Sequence, residues 1–295
     1  MARHFHTLKE KTNMKLSTVR IAGRTTWGVV DQDSFRDVGT VLADRYADLK
    51  AAIAAGLAGV AEAVASATAT PLADIEWLPV VPNPDKILCV GLNYEMHRQE
   101  TGRSEVENPT IFARYANSQI GHLAPIVRPK ISTDLDYEGE LAVIIGKSGR
   151  YITRDEAMGY VAGYACYNDG SVRDFQRHTH QFTPGKNFPD TGAFGPWMMT
   201  PDELGPLPDL RIQTRLNGQV VQDATFGQMI FDIARQIEYC SSFTRLEPGD
   251  VIVSGTPGGV GAKRQPPLWM KPGDVVEVEI DRLGILSNPI VDELG

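Results

Sequence analysis

One run limits what this chain can fold into more than any other: Asp136-Tyr137-Glu138-Gly139-Glu140-Leu141-Ala142-Val143-Ile144-Ile145. Its apolar tail reads as a buried strand. In a strand, residues two apart face the same side. Glu138 and Glu140 then present two carboxylates side by side against an apolar wall. Like charges that close are costly unless something positive sits between them. A hard divalent cation is the simplest remedy, and Mg²⁺ takes a few carboxylates while keeping waters that a substrate can displace. The plainer alternative is a solvent-facing strand start carrying two glutamates with no task.

Other segments offer chemistry to accompany such a site. The 164–167 run leads into Asn168-Asp169-Gly170-Ser171. An Asp at a strand end is placed to point into a site, or else it closes an Asx-turn. Asp174, beside Arg173, reads as a structural ion pair. After a strand at 87–90, residues 91–100 open a short helix. His97 and Glu100 stand three apart and so share a helical face. A carboxylate on one imidazole nitrogen sets the tautomer and raises basicity at the other, as a water-activating base requires. The alternative is an exposed pair worth little.

Lys186, within Pro184-Gly185-Lys186-Asn187, offers an ammonium to a substrate carboxylate or a developing enolate; otherwise it is a solvated loop lysine. His178 and His180 lie in a polar stretch with no matching ligands and read as a loop over a pocket. Residues 246–261 form a turn, a strand and a glycine-rich loop. No Gly-Lys-Ser/Thr follows and no βαβ unit surrounds it, so it is neither a P-loop nor a dinucleotide fold. Its backbone can still bring N–H groups close to an anion.

The chain divides near 80–85, where Pro79, Pro82 and Pro84 favour an extended linker. Before it, alternation predicts a hairpin over 14–31 with its turn near Gly23. Leu49, Ile53, Leu57, Val60 and Val64 predict one helix over 40–66. Beyond it, short Val/Ile-rich runs at 87–91, 141–146, 160–167, 210–216, 251–254 and 275–280 predict strands separated by Gly and Pro. Residues 155–158 and 229–243 are the expected helices. The expectation is a mainly β fold with some α: a small α+β N-terminal domain at 14–82 and a β-rich barrel or sandwich-like domain at 84–292.

Lys and Arg number 29 against 37 Asp and Glu, a formal charge of −8, which argues against a nucleic-acid partner. Cys89, Cys166 and Cys240 form no CxxC pair, as expected for buried thiols in a reducing, cytoplasmic setting. No apolar run has the length of a membrane span. Residues 1–13 are polar, lack an apolar core and do not read as a secretion signal; His4 and His6 fall there, and Met14 offers an alternative start.

Taken together, the segments resemble the fumarylacetoacetate hydrolase superfamily across residues 84–292. The likeness is carried by Val90-Gly91-Leu92-Asn93-Tyr94 with His97 and Glu100, by Asp136-Tyr137-Glu138-Gly139-Glu140-Leu141, and by Asn168-Asp169-Gly170-Ser171-Val172-Arg173-Asp174. Gly185-Lys186-Asn187-Phe188, Leu216-Asn217-Gly218 and Gly255-Thr256-Pro257-Gly258-Gly259-Val260-Gly261 complete it, in family order. The resemblance implies a mixed β-sandwich roll, usually homodimeric, with a Mg²⁺ or Mn²⁺ site that Ca²⁺ can fill in crystals. It places metal ligands on Glu138, Glu140 and Asp169, a lid-borne dyad on His97 and Glu100, and an oxoacid-side lysine on Lys186. Gln176 and Thr256 match substrate-contacting positions. In Pro109-Thr110-Ile111-Phe112-Ala113-Arg114, Arg114 stands where many acylpyruvase-type members carry lysine. Its bidentate fork is expected on a different distal group of the substrate.

The function so implied is metal-dependent hydrolysis of a carbon–carbon bond in a β-diketo acid of acylpyruvate or fumarylpyruvate type. The small 2-oxoacid binds through its carboxylate and 2-oxo group, and His97 activates water. Decarboxylation of oxaloacetate and isomerisation of unsaturated oxoacids use the same enolate and stay open. An inactive metal-binding relative is the rival outside catalysis.

Overall fold

The computed structural model describes residues 14–102 and 104–294. His4, His6 and the polar leader lie outside them. The fold is mixed α/β and mostly strand. The acidic run sits at its centre, and its alternation explains the architecture. The strand Gly139–Ile145 is buried on both faces. Leu141, Val143 and Ile145 join one core; Ala142 and Ile144 join another.

On the first side lies a five-stranded sheet built from Gln219–Thr225, Arg211–Leu216, Val275–Ile280, Gly284–Asp292 and Ile126–Arg128, in that order. Ile212, Val278 and Leu286 project from it into the first core, which makes the sandwich. The sheets approach so closely at Gly139 that a Cβ there would lie 2.0 Å from the Thr214 hydroxyl. On the second side Leu49, Ile53 and Val60 close a helical layer over Ala142, Ile144, Ala165 and Tyr167.

The larger sheet has 12 strands. Its central path runs Lys15–Ile21, Gly192–Met199, Val161–Asp169, Gly139–Ile145, Val251–Val253, Ile87–Gly91, Thr110–Arg114. The N-terminal stretch is therefore joined to the rest twice. Its first strand pairs with Gly192–Met199 at Leu16↔Met198, and its helices share a core with the central strands.

The expected hairpin forms as Lys15–Ile21 and Arg24–Asp31, turning at Ala22-Gly23, both with positive φ. The single helix over 40–66 does not form. Three short helices, Val38–Val41, Leu49–Ala54 and Val60–Val64, take its place. Gly56, Leu57 and Gly59 all have positive φ, which no continuous helix tolerates, and Asp48 caps the second piece by accepting from Ala51 N. The helix expected from 229 starts later, as Ile233–Phe243, because Asp232 is its N-cap. The strand Gly192–Met199 is absent from the sequence expectation; Pro196 inside it disguises a central strand.

Candidate active site

Cross-strand register assembles the acids. Gly139 stands opposite Asn168, and Asp169 N donates to the Glu138 carbonyl at 2.8 Å, so Glu138 faces Asp169. Glu140 follows two residues on, on the same face. One carboxylate oxygen from each of Glu138, Glu140 and Asp169 lies within 4.8 Å of the others, and all three residues are buried.

Cations hold two of the three. Lys186 ends the turn of helix Thr183–Lys186 and is buried. Its Nζ donates to Glu138 Oε2 and Asp169 Oδ2, each at 2.6 Å. Arg173 donates from Nε to Asp136 Oδ2 at 2.8 Å, and its Nη2 lies 2.7 Å from Glu138 Oε1. Burial opposes the charge on Glu138, but Lys186 and Arg173 bring its pKa down to about 2.

Among the described residues, no cation lies at ion-pair distance from Glu140. It accepts from Gly255 N at 2.5 Å, and burial, Asp169 and Glu138 push its carboxyl well above the ordinary value. A buried carboxylate without a counter-charge, beside two more hard oxygen donors, fits a divalent cation. The three residues form a divalent-metal site.

His97 and Glu100 are in contact. His97 lies on helix Glu95–Thr101, is buried, and contacts Glu100 Oε1 through Nδ1 at 2.7 Å. The carboxylate fixes the proton on Nδ1 and leaves Nε2 as acceptor. Burial alone would push the Glu100 carboxyl up; His97 and the N–H of Gly259, 3.0 Å from Oε2, hold it below the usual value.

A cavity of about 440 Å³ brings these parts together. His97, Glu138, Glu140, Lys186, Gln176 and Thr256 all line it. Gln176 accepts from Arg173 Nη1 at 3.0 Å. Thr256 donates to the Gly139 carbonyl at 3.1 Å and accepts from Gln222 at 2.8 Å. The loop with His178 and His180 borders the same cavity.

Arg114 is corrected. It is fully enclosed behind the acids, off the cavity wall. Its Nη1 donates to Asp169 Oδ1 at 2.5 Å and to the Gly170 carbonyl at 2.9 Å, and its Nη2 to Thr191 at 2.8 Å. The guanidinium fork therefore grips an acidic ligand of the site rather than a distal group of a substrate. Arg173 is corrected too. Its partners are Asp136 and Glu138, while Asp174 accepts from Ser132 and from Phe175 N.

Sequence reasoning passed over Asp136, although it heads the acidic run. Asp136 is buried and accepts from Gly261 N at 2.8 Å and Ala262 N at 3.0 Å, besides Arg173. The glycine-rich loop does meet anions, and they are the protein's own: Glu140, Glu100 and Asp136.

Residues 86–291 match the family model described as fumarylacetoacetate (FAA) hydrolase, C-terminal. The chain belongs to the fumarylacetoacetate hydrolase family. It is 40% identical over 222 residues to the mitochondrial oxaloacetate tautomerase Fahd2a of Rattus norvegicus, covering 75% of this chain and 71% of the relative. Among solved structures, maleylpyruvate hydrolase from Sphingobium sp. SYK-6, in complex with manganese(II) ion and pyruvate, superposes with a TM-score of 0.80 at 27% identity, over 95% of this chain and 100% of that one. The 5-carboxymethyl-2-hydroxymuconate delta-isomerase from Mycobacterium smegmatis gives 0.76 at 28% identity, over 96% and 100%. The protein is a metal-dependent enzyme of this family, whose members are named for hydrolysis, isomerisation and tautomerisation alike.

Proposed function

We propose that the protein hydrolyses a carbon–carbon bond of an acylpyruvate-type 2-oxoacid, with Mg²⁺ or Mn²⁺ as cofactor. The observation that carries this is a buried imidazole, backed by a carboxylate at 2.7 Å, sharing one cavity with Glu138 and Glu140, which converge with the buried Asp169. Glu138, Glu140 and Asp169 would hold a divalent ion, which when bound would supply Lewis acidity to a 2-oxoacid substrate.

The chain's own residues do the rest. His97 takes a proton from water at Nε2, and Glu100 stabilises the imidazolium that results. The water oxygen bonds to the distal carbonyl carbon. The carbon–carbon bond breaks, its electron pair stays with the pyruvate fragment, and His97 returns the proton there. Lys186 and Arg173 hold the acids in place and add positive charge beside the developing anion. Gln176 and Thr256 position the substrate from the cavity wall. A homodimer in a reducing compartment such as the cytoplasm belongs to the same proposal; three buried free cysteines support the compartment.

Tautomerisation of oxaloacetate is the second reading, favoured by the 40% identity to a tautomerase. It needs only the proton shuttle at His97, without attack by water. Incubation with Mg²⁺ and acetopyruvate, fumarylpyruvate or oxaloacetate, followed by NMR, separates them. Hydrolysis releases pyruvate and a second carboxylic acid; tautomerisation interconverts enol and keto forms with no fragment. Turnover that survives EDTA, or no turnover of any 2-oxoacid, overturns both.

A further inference from the structure

Each acid of the cation site has a second oxygen, and where that oxygen goes limits how the acid can bind. Glu138 meets Arg173 Nη2 at Oε1, 2.7 Å away, and Lys186 Nζ at Oε2, 2.6 Å away. Asp169 accepts from Lys186 at Oδ2, 2.6 Å, and from Arg114 at Oδ1, 2.5 Å. Glu140 accepts from Gly255 N at Oε2. None of the three has both oxygens unclaimed, so none is free to wrap a cation with the pair.

The groups that hold these oxygens differ in how readily they yield. Lys186 is one ammonium on a flexible stem, shared between two acids at the cavity wall. Arg114 is fixed from behind. It ends the strand Thr110–Arg114, and its side chain and that of Asp169 are both wholly enclosed. Its guanidinium spans Asp169 Oδ1, the Gly170 carbonyl at 2.9 Å and the Thr191 hydroxyl at 2.8 Å. Backbone presses on the same group: a Cβ at Gly192 would lie 2.8 Å from Nη2. A planar fork with acceptors on both prongs cannot turn without breaking several bonds at once, whereas a lysine would supply a single point of charge. Asp169 Oδ1 is therefore kept facing away from the cavity.

The number of oxygens an acid can offer bears on which ion it suits. Ca²⁺ takes roughly six to eight oxygens and readily uses both of a carboxylate. Mg²⁺ takes about six at shorter distance and keeps several waters. We propose that Arg114 is a positioning residue that limits Asp169 to one coordinating oxygen and so makes the site select Mg²⁺ over Ca²⁺. The inference rests on the three acids holding a divalent ion, and not on which reaction follows.

The test is calorimetry on the ion-free protein, titrated with Mg²⁺ and Ca²⁺ separately. The unaltered protein binds Mg²⁺ about tenfold more tightly than Ca²⁺. R114K keeps the charge and releases the fork. Asp169 can then turn both oxygens inward, Ca²⁺ gains and Mg²⁺ does not, and the affinity ratio falls by about tenfold. A merely structural loss weakens both ions alike and leaves that ratio unmoved. T191V removes the acceptor of Nη2 with the guanidinium still in place. It shifts the ratio the same way by a smaller factor, and it decides the matter if circular dichroism shows R114K unfolded. Ca²⁺ binding as tightly as Mg²⁺ to the unaltered protein, or an unchanged ratio in the deciding variant, overturns the role of Arg114. Binding of neither ion overturns the cation site and the inference with it. Turnover does not enter, so failure of the proposed hydrolysis leaves the result standing.

Discussion

The two walls of the cavity are built differently. One is sheet: Glu140 and Asp169 sit on paired strands, Glu138 directly precedes one of them, and the register of those strands sets their spacing. Behind them Arg114, Arg173 and Lys186 close a buried network of charge. The other wall is the short helix Glu95–Thr101, entered from a strand and left through Gly102 in the left-handed region. Its Met96 is 66% exposed, and Glu100 anchors to the glycine loop through Gly259 N. The difference separates two requirements. A cation site needs oxygens held at fixed spacing, which hydrogen-bonded strands provide. The imidazole proposed to carry a proton needs orientation, which one carboxylate and one loop contact provide.

The sharpest break of that comparison is Glu140→Gln. It removes the one acid of the three that makes no ion pair among the described residues, and calorimetry should show divalent-ion binding lost while the fold remains. The same residue sets a pH dependence. Its raised pKa means that the ion-free fold favours the protonated carboxyl. That contribution is present below the unfolded carboxylate value and is lost as pH rises through the raised one. A bound divalent ion favours the ionised form instead. The rise in melting temperature on adding Mg²⁺ should therefore grow from acid to neutral pH, and Glu140→Gln should flatten that trend.

The other wall is probed by His97→Ala. Turnover should fall roughly 10²–10⁴-fold, as for loss of a general base, with divalent-ion affinity retained. Loss of ion binding in this variant would show that the two walls are not independent. The smallest effect sharpens the contrast between buried and exposed charge. Arg211 pairs with Asp223 on the surface, and Arg211→Ala should leave the melting temperature unchanged within scatter. Arg173 and Lys186, with comparable pairs inside, have no such freedom.

Much of the site was legible because its residues lie in short local patterns. Two glutamates two apart before an apolar run, and His97 three residues from Glu100, state their geometry through strand and helix periods. Strand positions followed too, with 87–91 and 275–280 matching Ile87–Gly91 and Val275–Ile280. The expected helix over 40–66 failed because apolar spacing measures which side chains are buried, not whether the backbone between them stays helical. Gly56 and Gly59 carried the contrary signal. Arg114 and Arg173 were misplaced for another reason. A long cationic side chain reaches several ångströms in any direction, and adjacency to Asp174 says little about which acid it meets.

By itself, the sequence determined a strand that must be buried on both faces and must begin with acids on one of them. That follows from a period of two and the aversion of apolar groups to water. Only the tertiary structure decided which charges neutralise which. Opposite charges brought out of water select their partners by distance in three dimensions, across Asp136 and Gly261, Arg114 and Asp169, Lys186 and Glu138. Those pairs are separated by many residues of chain, and no local pattern records them.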